Sequence, residues 1–266
     1  MSATSNMCRL CGMTGPLRES HLMPKALYKL MRAPERANPN PVFIVRGKAG
    51  TTSRQVSDKL LCHDCELRFS RHGEQEALRL CYRHESGFLL RDTIAPWAPA
   101  VCANEYTAFI VPPAHVHKAH ALTFFAASVF WRSAVHRWMV LGEPREPTEL
   151  GKYEKAFRVF LLGEAPFPEC AVLFVSVAES ANPDNVVALP VVSRRGSFHR
   201  HKFHIPGIIF VLLVGRGVPA AYASLSLTAP EPMLYTGDFR NDDWFRGMLE
   251  DAGRAIRVGV SGGVHI

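Results

Sequence analysis

Two cysteine knuckles, Cys8-Arg9-Leu10-Cys11 and Cys62-His63-Asp64-Cys65, flank the segment Ser20-His21-Leu22-Met23-Pro24 in this chain. Each Cys-x-x-Cys turn points two sulfurs the same way, and four soft ligands complete the coordination of Zn²⁺ with no open position. The four cysteines are therefore expected to hold one structural zinc ion, whose binding free energy goes into folding. Cys81, Cys102 and Cys170 stand alone and read as small apolar residues.

With 266 residues, 47% of them apolar and 21% charged, the chain has the composition of a folded globular protein. Its formal net charge of +7 suits an acidic partner, because clustered Lys and Arg concentrate polyanions and release counterions on binding. The first residues lack the basic and apolar regions of a secretory signal, and thiolate ligands need a reducing compartment, so a cytoplasmic protein is expected. The apolar segment Leu122 to Leu141 is interrupted by Arg132, His136 and Arg137. It reads as a buried helix, and no membrane partner is expected.

The expected fold class is α+β, with residues 1–91 forming the zinc module and residues 92–266 an α+β domain of unknown role. Leu17 to Leu22 suits a strand carrying His21 near its end, and Pro24 suits the first turn of a helix through Met31. Ala33 to Pro41 reads as a loop. Val42–Val45 and Thr51–Val56 read as a hairpin, and a helix is expected from Glu66 to about Arg83. The proline-rich stretch Asp92 to Pro99 is the expected linker. Beyond it a pair of helices, His120 to Val140 and Leu150 to Leu162, should precede a mainly antiparallel sheet. Its strands are expected at Ala171–Val177, Val186–Val192, Phe198–Ile205, Ile208–Val214 and Ala221–Leu227. Asn241-Asp242-Asp243 should cap a last helix ending near Gly259.

Knuckle, Ser-His-Leu-Met-Pro segment and Leu-Leu-Cys-x-x-Cys occur in an order that resembles the HNH endonuclease family, in which a zinc-bound treble clef carries a ββα-metal site. The resemblance covers roughly Met7 to Arg83. It implies hydrolysis of phosphodiester bonds in nucleic acid, with His21 as general base and a catalytic divalent ion such as Mg²⁺ beside the structural Zn²⁺. It also implies Glu66 as a ligand of that ion, with Glu19 a further candidate because strand alternation points it with His21. The position before the histidine, usually a metal ligand, is Ser20. The asparagine that orients the imidazole falls near Ser57, and either Ser57 or Asp58 could accept the imidazole N–H.

Nucleic-acid contacts are expected from Arg68, Arg71 and His72 after the second knuckle, and from Arg194, Arg195, Arg200 and Lys202 in the dense basic stretch near residue 200. DNA is preferred to RNA as the partner. Arg9, Arg18, Lys25, Lys29, Arg32 and Lys59 add basic surface around the knuckles, while His115, His117 and His120 read as a solvated approach to the long helix. The contrasting expectation, raised by Ser20 and the missing asparagine, is a catalytically degenerate zinc-stabilised module that binds nucleic acid or protein without cleaving.

Overall fold

The structure, a computed structural model, describes residues 6–30, 42–45, 48–51, 55–84, 86–181 and 186–250. After the first knuckle the chain enters strand β1 (Leu17–His21) and, past Pro24, helix α1 (Lys25–Leu30). Strands β2 (Val42–Val45) and β3 (Lys48–Thr51) form a hairpin. Its second strand lies earlier than the expected Thr51–Val56. A strand that apolar alternation did not disclose, β4 (Ser57–Cys62), pairs antiparallel with β1 so that Leu17 faces Cys62 and His21 faces Ser57; residues 52–54 of the expected strand lie outside the described residues.

Helix α2 (His63–Phe69) starts directly at the end of β4, three residues before the expected Glu66. It continues through a π-helical turn over Ser70–Glu74 into α3 (Gln75–Leu80). The widened turn accompanies a close crossing: a Cβ on Gly73 would stand 2.7 Å from the backbone nitrogen of Phe125. Only the missing side chain lets the two backbones approach so far. Helix α4 (Leu89–Ile94) then occupies part of the stretch expected as a linker, and the boundary expected between residues 91 and 92 falls inside it.

Strands β5 (Val101–Cys102) and β6 (Thr107–Ile110) follow, then the long helix α5 (Val116–Val135). A small ribbon pairs β7 (Met139–Val140) with β8 (Glu143–Pro144), so the helix expected to reach Val140 ends five residues earlier. Helix α6 (Glu154–Leu162) closes on Gly163, whose φ of 76° allows its N–H to reach Phe160 O while Glu164 N–H reaches Val159 O. Next come β9 (Ala171–Ala178), β10 (Ala188–Arg195), β11 (Phe198–Ile205) and β12 (Ile208–Val214).

Ala221–Leu227, expected as a strand, instead contains the short helix α7 (Ala221–Ser224), with the chain returning as β13 (Met233–Gly237). Neighbouring alanines at 220, 221 and 223 favour helix there over sheet. A final helix covers residues 243–250, and Asp242 Oδ1 accepts the Phe245 N–H at 2.9 Å as its cap. The expected loop Ala33–Pro41, residues Met31 and Arg32, and the end near Gly259 lie outside the described residues.

Seven strands form one sheet in the order β10-β11-β12-β9-β13-β6-β5, antiparallel except where β13 runs parallel to β9. The class is thus mixed helix and sheet, as α+β requires. Helix α5 is buried on nearly every side, and its Phe125 and Phe130 stand edge-on to Phe203 of β11 at 5.8 and 4.9 Å between ring centroids. Phe203 stacks in turn on Phe210 of β12 at 4.6 Å. On its other side α5 meets the module: Phe69 of α2 lies edge-on to Trp131 at 6.2 Å. Buried apolar side chains from Cys8 to Phe245 belong to one cluster that spans both sides of α4. No helix among the described residues is long and apolar enough to cross a membrane.

Candidate metal centre and the histidine beside it

The Sγ atoms of Cys8, Cys11, Cys62 and Cys65 all lie within 4.8 Å of one another, and those of Cys11 and Cys62 are 3.8 Å apart. Zinc–sulfur bonds of about 2.3 Å in a tetrahedron require sulfur–sulfur edges of about 3.8 Å. The pocket therefore fits one zinc-sized ion, and all four thiols are free of disulfides.

Local hydrogen bonds build this cluster. Cys8 N–H donates to Met13 O and Gly12 N–H to Cys8 O, closing the first knuckle, while Arg9 N–H donates to Leu60 O and fastens it onto β4. Arg158 of α6 reaches across to give its Nε–H to Leu10 O at 2.5 Å. The second knuckle spans the junction of β4 and α2, so Cys65 sits in the first turn of the helix. A hydrogen bond from the Cys65 thiol, with further donation from the backbone at Cys11, Cys62 and Leu10, outweighs burial and pulls Cys8 down to about 4. As the donor, Cys65 is pushed upward. Hydrogen bonds within the cluster thus favour ionisation at Cys8, and a divalent cation would favour it at all four thiols.

The alternation of β1 divides Glu19 and His21 from Ser20. Ser20 is fully buried; its hydroxyl donates to Glu66 Oε1 and accepts Leu61 N–H at 3.1 Å. Burial raises the Glu66 carboxyl, against the opposing charge of Arg132 and the bond from Ser20. Arg132 comes from α5 and is 1% exposed. Its guanidinium donates to His21 O at 2.6 Å and to Glu74 Oε1 at 2.8 Å, and lies 5.3 Å from the centre of the Phe69 ring. Periodicity marked Arg132 only as an interruption of an apolar helix; its pairing with a module 111 residues away left no local signal.

On the other face of β1, the half-buried His21 imidazole is shifted below its usual range chiefly by burial, while the charge of Glu19 and a hydrogen bond with the Gln55 side chain oppose the shift. At neutral pH it is the uncharged form, able to accept a proton. Gln55 is held nearby because its neighbour Val56 is pinned twice, accepting Leu22 N–H at 2.9 Å and donating to Tyr28 Oη at 3.2 Å. The side chain hydrogen-bonded to the imidazole is that of Gln55, where Ser57 or Asp58 was expected. Ser57 Oγ instead donates to Glu19 at 2.8 Å, and Asp58 pairs with His136 Nε2 at 2.9 Å.

Among the described residues, the four cysteines are the only group bringing three or more His, Cys, Asp or Glu ligand atoms together. Glu19, His21 and Glu66 do not converge, so the residues expected to hold a catalytic Mg²⁺ form no ready site for one. Of the expected nucleic-acid contacts, Arg71, His72, Arg194 and Arg195 are exposed, and Arg68 and Arg200 are half-buried. Lys202 is a correction. It is 6% exposed, with Nζ 2.5 Å from Asp242 Oδ2 and 4.6 Å from the centre of the Trp244 ring. Strand alternation turned it toward the last helix, where its charge is neutralised. No protein-family profile, curated protein or solved structure matches the chain.

Proposed function

We propose that the cysteine-clasped module is an HNH-like treble clef holding a structural zinc, and that the chain hydrolyses phosphodiester bonds of nucleic acid, DNA in preference to RNA. The observation that supports this reading is the neutral imidazole of His21, held by Gln55 at the end of the first of two antiparallel strands that lead directly into a helix. His21 would take a proton from water as that water's oxygen attacks phosphorus; the departing P–O oxygen then acquires a proton from solvent. Lys25, exposed and close enough for its charge to act on His21, would face the phosphate. The zinc's part is to hold the knuckles, and hence β1 and α2, in place.

A second reading, a module that binds nucleic acid without cleaving it, is favoured by one specific feature. Ser20 and Glu66 are bonded to each other, and the buried guanidinium of Arg132 already supplies positive charge beside them. The two readings separate on incubating the purified protein with plasmid DNA and structured RNA under Mg²⁺, Mn²⁺ and chelator. Hydrolysis predicts cleavage by wild type and loss of about a hundredfold or more in His21→Ala, with zinc content unchanged. Salt-sensitive binding with no cleavage under any ion supports the second reading, and full cleavage by His21→Ala contradicts His21 as the base.

A further inference from the structure

A cavity of about 610 Å³ opens between the π-helical turn, the first half of α5 and the end of α6. None of its lining residues belongs to the cysteine cluster or to the surroundings of His21. Its volume falls in the range of small-molecule sites. Positions 117, 120, 121 and 124 follow the i, i+3, i+4, i+7 spacing of one helix face, so α5 directs His117, His120 and Phe124 into it together. From the π-helical turn come Arg71 and His72, and turns of this kind recur at functional sites.

The lining is divided by chemistry. Phe124, Phe160 and Phe167 form a continuous aromatic wall, with ring centroids 5.8 Å apart for the first pair and 5.4 Å for the second, and the His72 ring lies 5.4 Å from Phe124. Arg71, His117 and His120 bring the cationic and imidazole groups, and Thr123 with residues from Leu227 to Pro232 completes the lining. Arg71 is exposed, with no hydrogen-bond or ion-pair partner among the described residues. Lys118 Nζ lies 3.3 Å from His117 Nε2 and adds positive potential. The acid whose field reaches His117 and Lys118 is Glu76, already held by Arg79 at 2.6 Å. An unpartnered guanidinium and imidazoles in the same cavity as three phenyl rings, tilted or edge-on to one another, match a ligand that is a planar ring at one end and an anion at the other.

We infer that this cavity is a nucleotide site, taking an aromatic base against Phe124, Phe160 and Phe167 and its phosphate at Arg71, His117 and His120. The site stands whether or not His21 hydrolyses anything. The same unit could arrive as a free mononucleotide or as an unstacked residue of a single strand. Both sources are tested by titrating the zinc-loaded full chain with adenosine 5′-monophosphate and, separately, with a 5′-phosphorylated single-stranded pentanucleotide.

Adenosine and inorganic phosphate, each carrying half of the recognised chemistry, should bind at least tenfold more weakly than the monophosphate. Arg71→Ala, a surface change, should weaken whichever probe binds by about tenfold. Phe160→Leu, which keeps an apolar side chain in the wall, should weaken it by about tenfold through lost stacking. His21→Ala should leave binding unchanged, which separates this site from the hydrolytic one. Saturation by either probe with both sensitivities supports the assignment and identifies its source. Failure of both probes to bind at millimolar concentration, or binding indifferent to Arg71→Ala and Phe160→Leu, overturns it.

Discussion

The cysteine-clasped segment and the seven-stranded sheet reach complete burial by different means. Around the knuckles Leu10, Leu22, Met23, Leu60 and Leu61 are buried together with Tyr28 and Phe69, and four sulfurs gather segments that are some fifty residues apart in sequence. Between α5 and the sheet the contacts are large and aromatic, Phe125, Phe130, Phe203 and Phe210, with no metal ligand among them. The first region gathers four sulfurs that could hold one metal ion, and the second rests on apolar surface. The buried charge of Arg132 joins α5 to the cysteine-clasped segment, beside the contacts of Phe69 with Trp131 and of Arg158 with Leu10 O.

Removing the ion should have the largest effect. Structural zinc contributes on the order of 10 kcal/mol to small modules. Stripping it with a strong chelator should therefore abolish hydrogen-exchange protection in β1, β4 and the start of α2 while β9, β11 and β12 keep theirs. Equal loss throughout would mean that the sheet leans on the metal as heavily as the knuckles do. Arg132→Ala comes next. It leaves the Glu74 carboxylate and His21 O without their donor in a buried setting, and the expected loss is about 3–5 kcal/mol in urea unfolding. Arg132→Met, which preserves contact with Phe69, should cost less; equal costs would make Arg132 a packing residue.

Acid should act on the sheet. His201 is fully buried with neither ring nitrogen bonded among the described residues, and burial brings it from 6.5 to about 4; burial likewise takes His204 to about 3. Because the unfolded chain binds these protons more readily, their contribution is present above about pH 6.5 and is lost as pH falls toward 4 and 3. For His201 alone that loss is about 3 kcal/mol. Urea midpoints measured across this range should fall with pH, and more shallowly in His201→Leu. An identical slope in that variant would exclude His201 as a cause. Smallest among these is Gly73→Ala, whose methyl would press on the Phe125 backbone and should cost about 1–3 kcal/mol by thermal melting. A neutral result would show that the π-helical turn yields without cost.

What the sequence disclosed follows the range of the forces involved. The knuckles were legible because paired cysteines at fixed spacing have few other uses, and β11 and β12 because β-branched and aromatic residues run between the clear turns at Gly196 and Gly207. Strand β4, Ser-Asp-Lys-Leu-Leu-Cys, carries too few apolar residues to stand out; it is a strand because β1 and the cysteines hold it. Residues 221–224 went the other way, from expected strand to helix. At the site, His21 was visible beside its proline, whereas Gln55 and Arg132 acquire their roles only through tertiary contact. Lys202 read as a surface cation because a sequence of alternating basic and aromatic residues does not say which face of β11 is covered.

The four sulfurs converge within 4.8 Å of one another on the two knuckles that flank His21, and zinc X-ray absorption on native protein, with elemental analysis of the same sample, tests whether they hold an ion. One zinc per chain surrounded by four sulfurs at about 2.3 Å is expected, with one sulfur lost from the shell in Cys11→Ser. Protein that is folded yet metal-free, or zinc bound chiefly through nitrogen and oxygen, would contradict it.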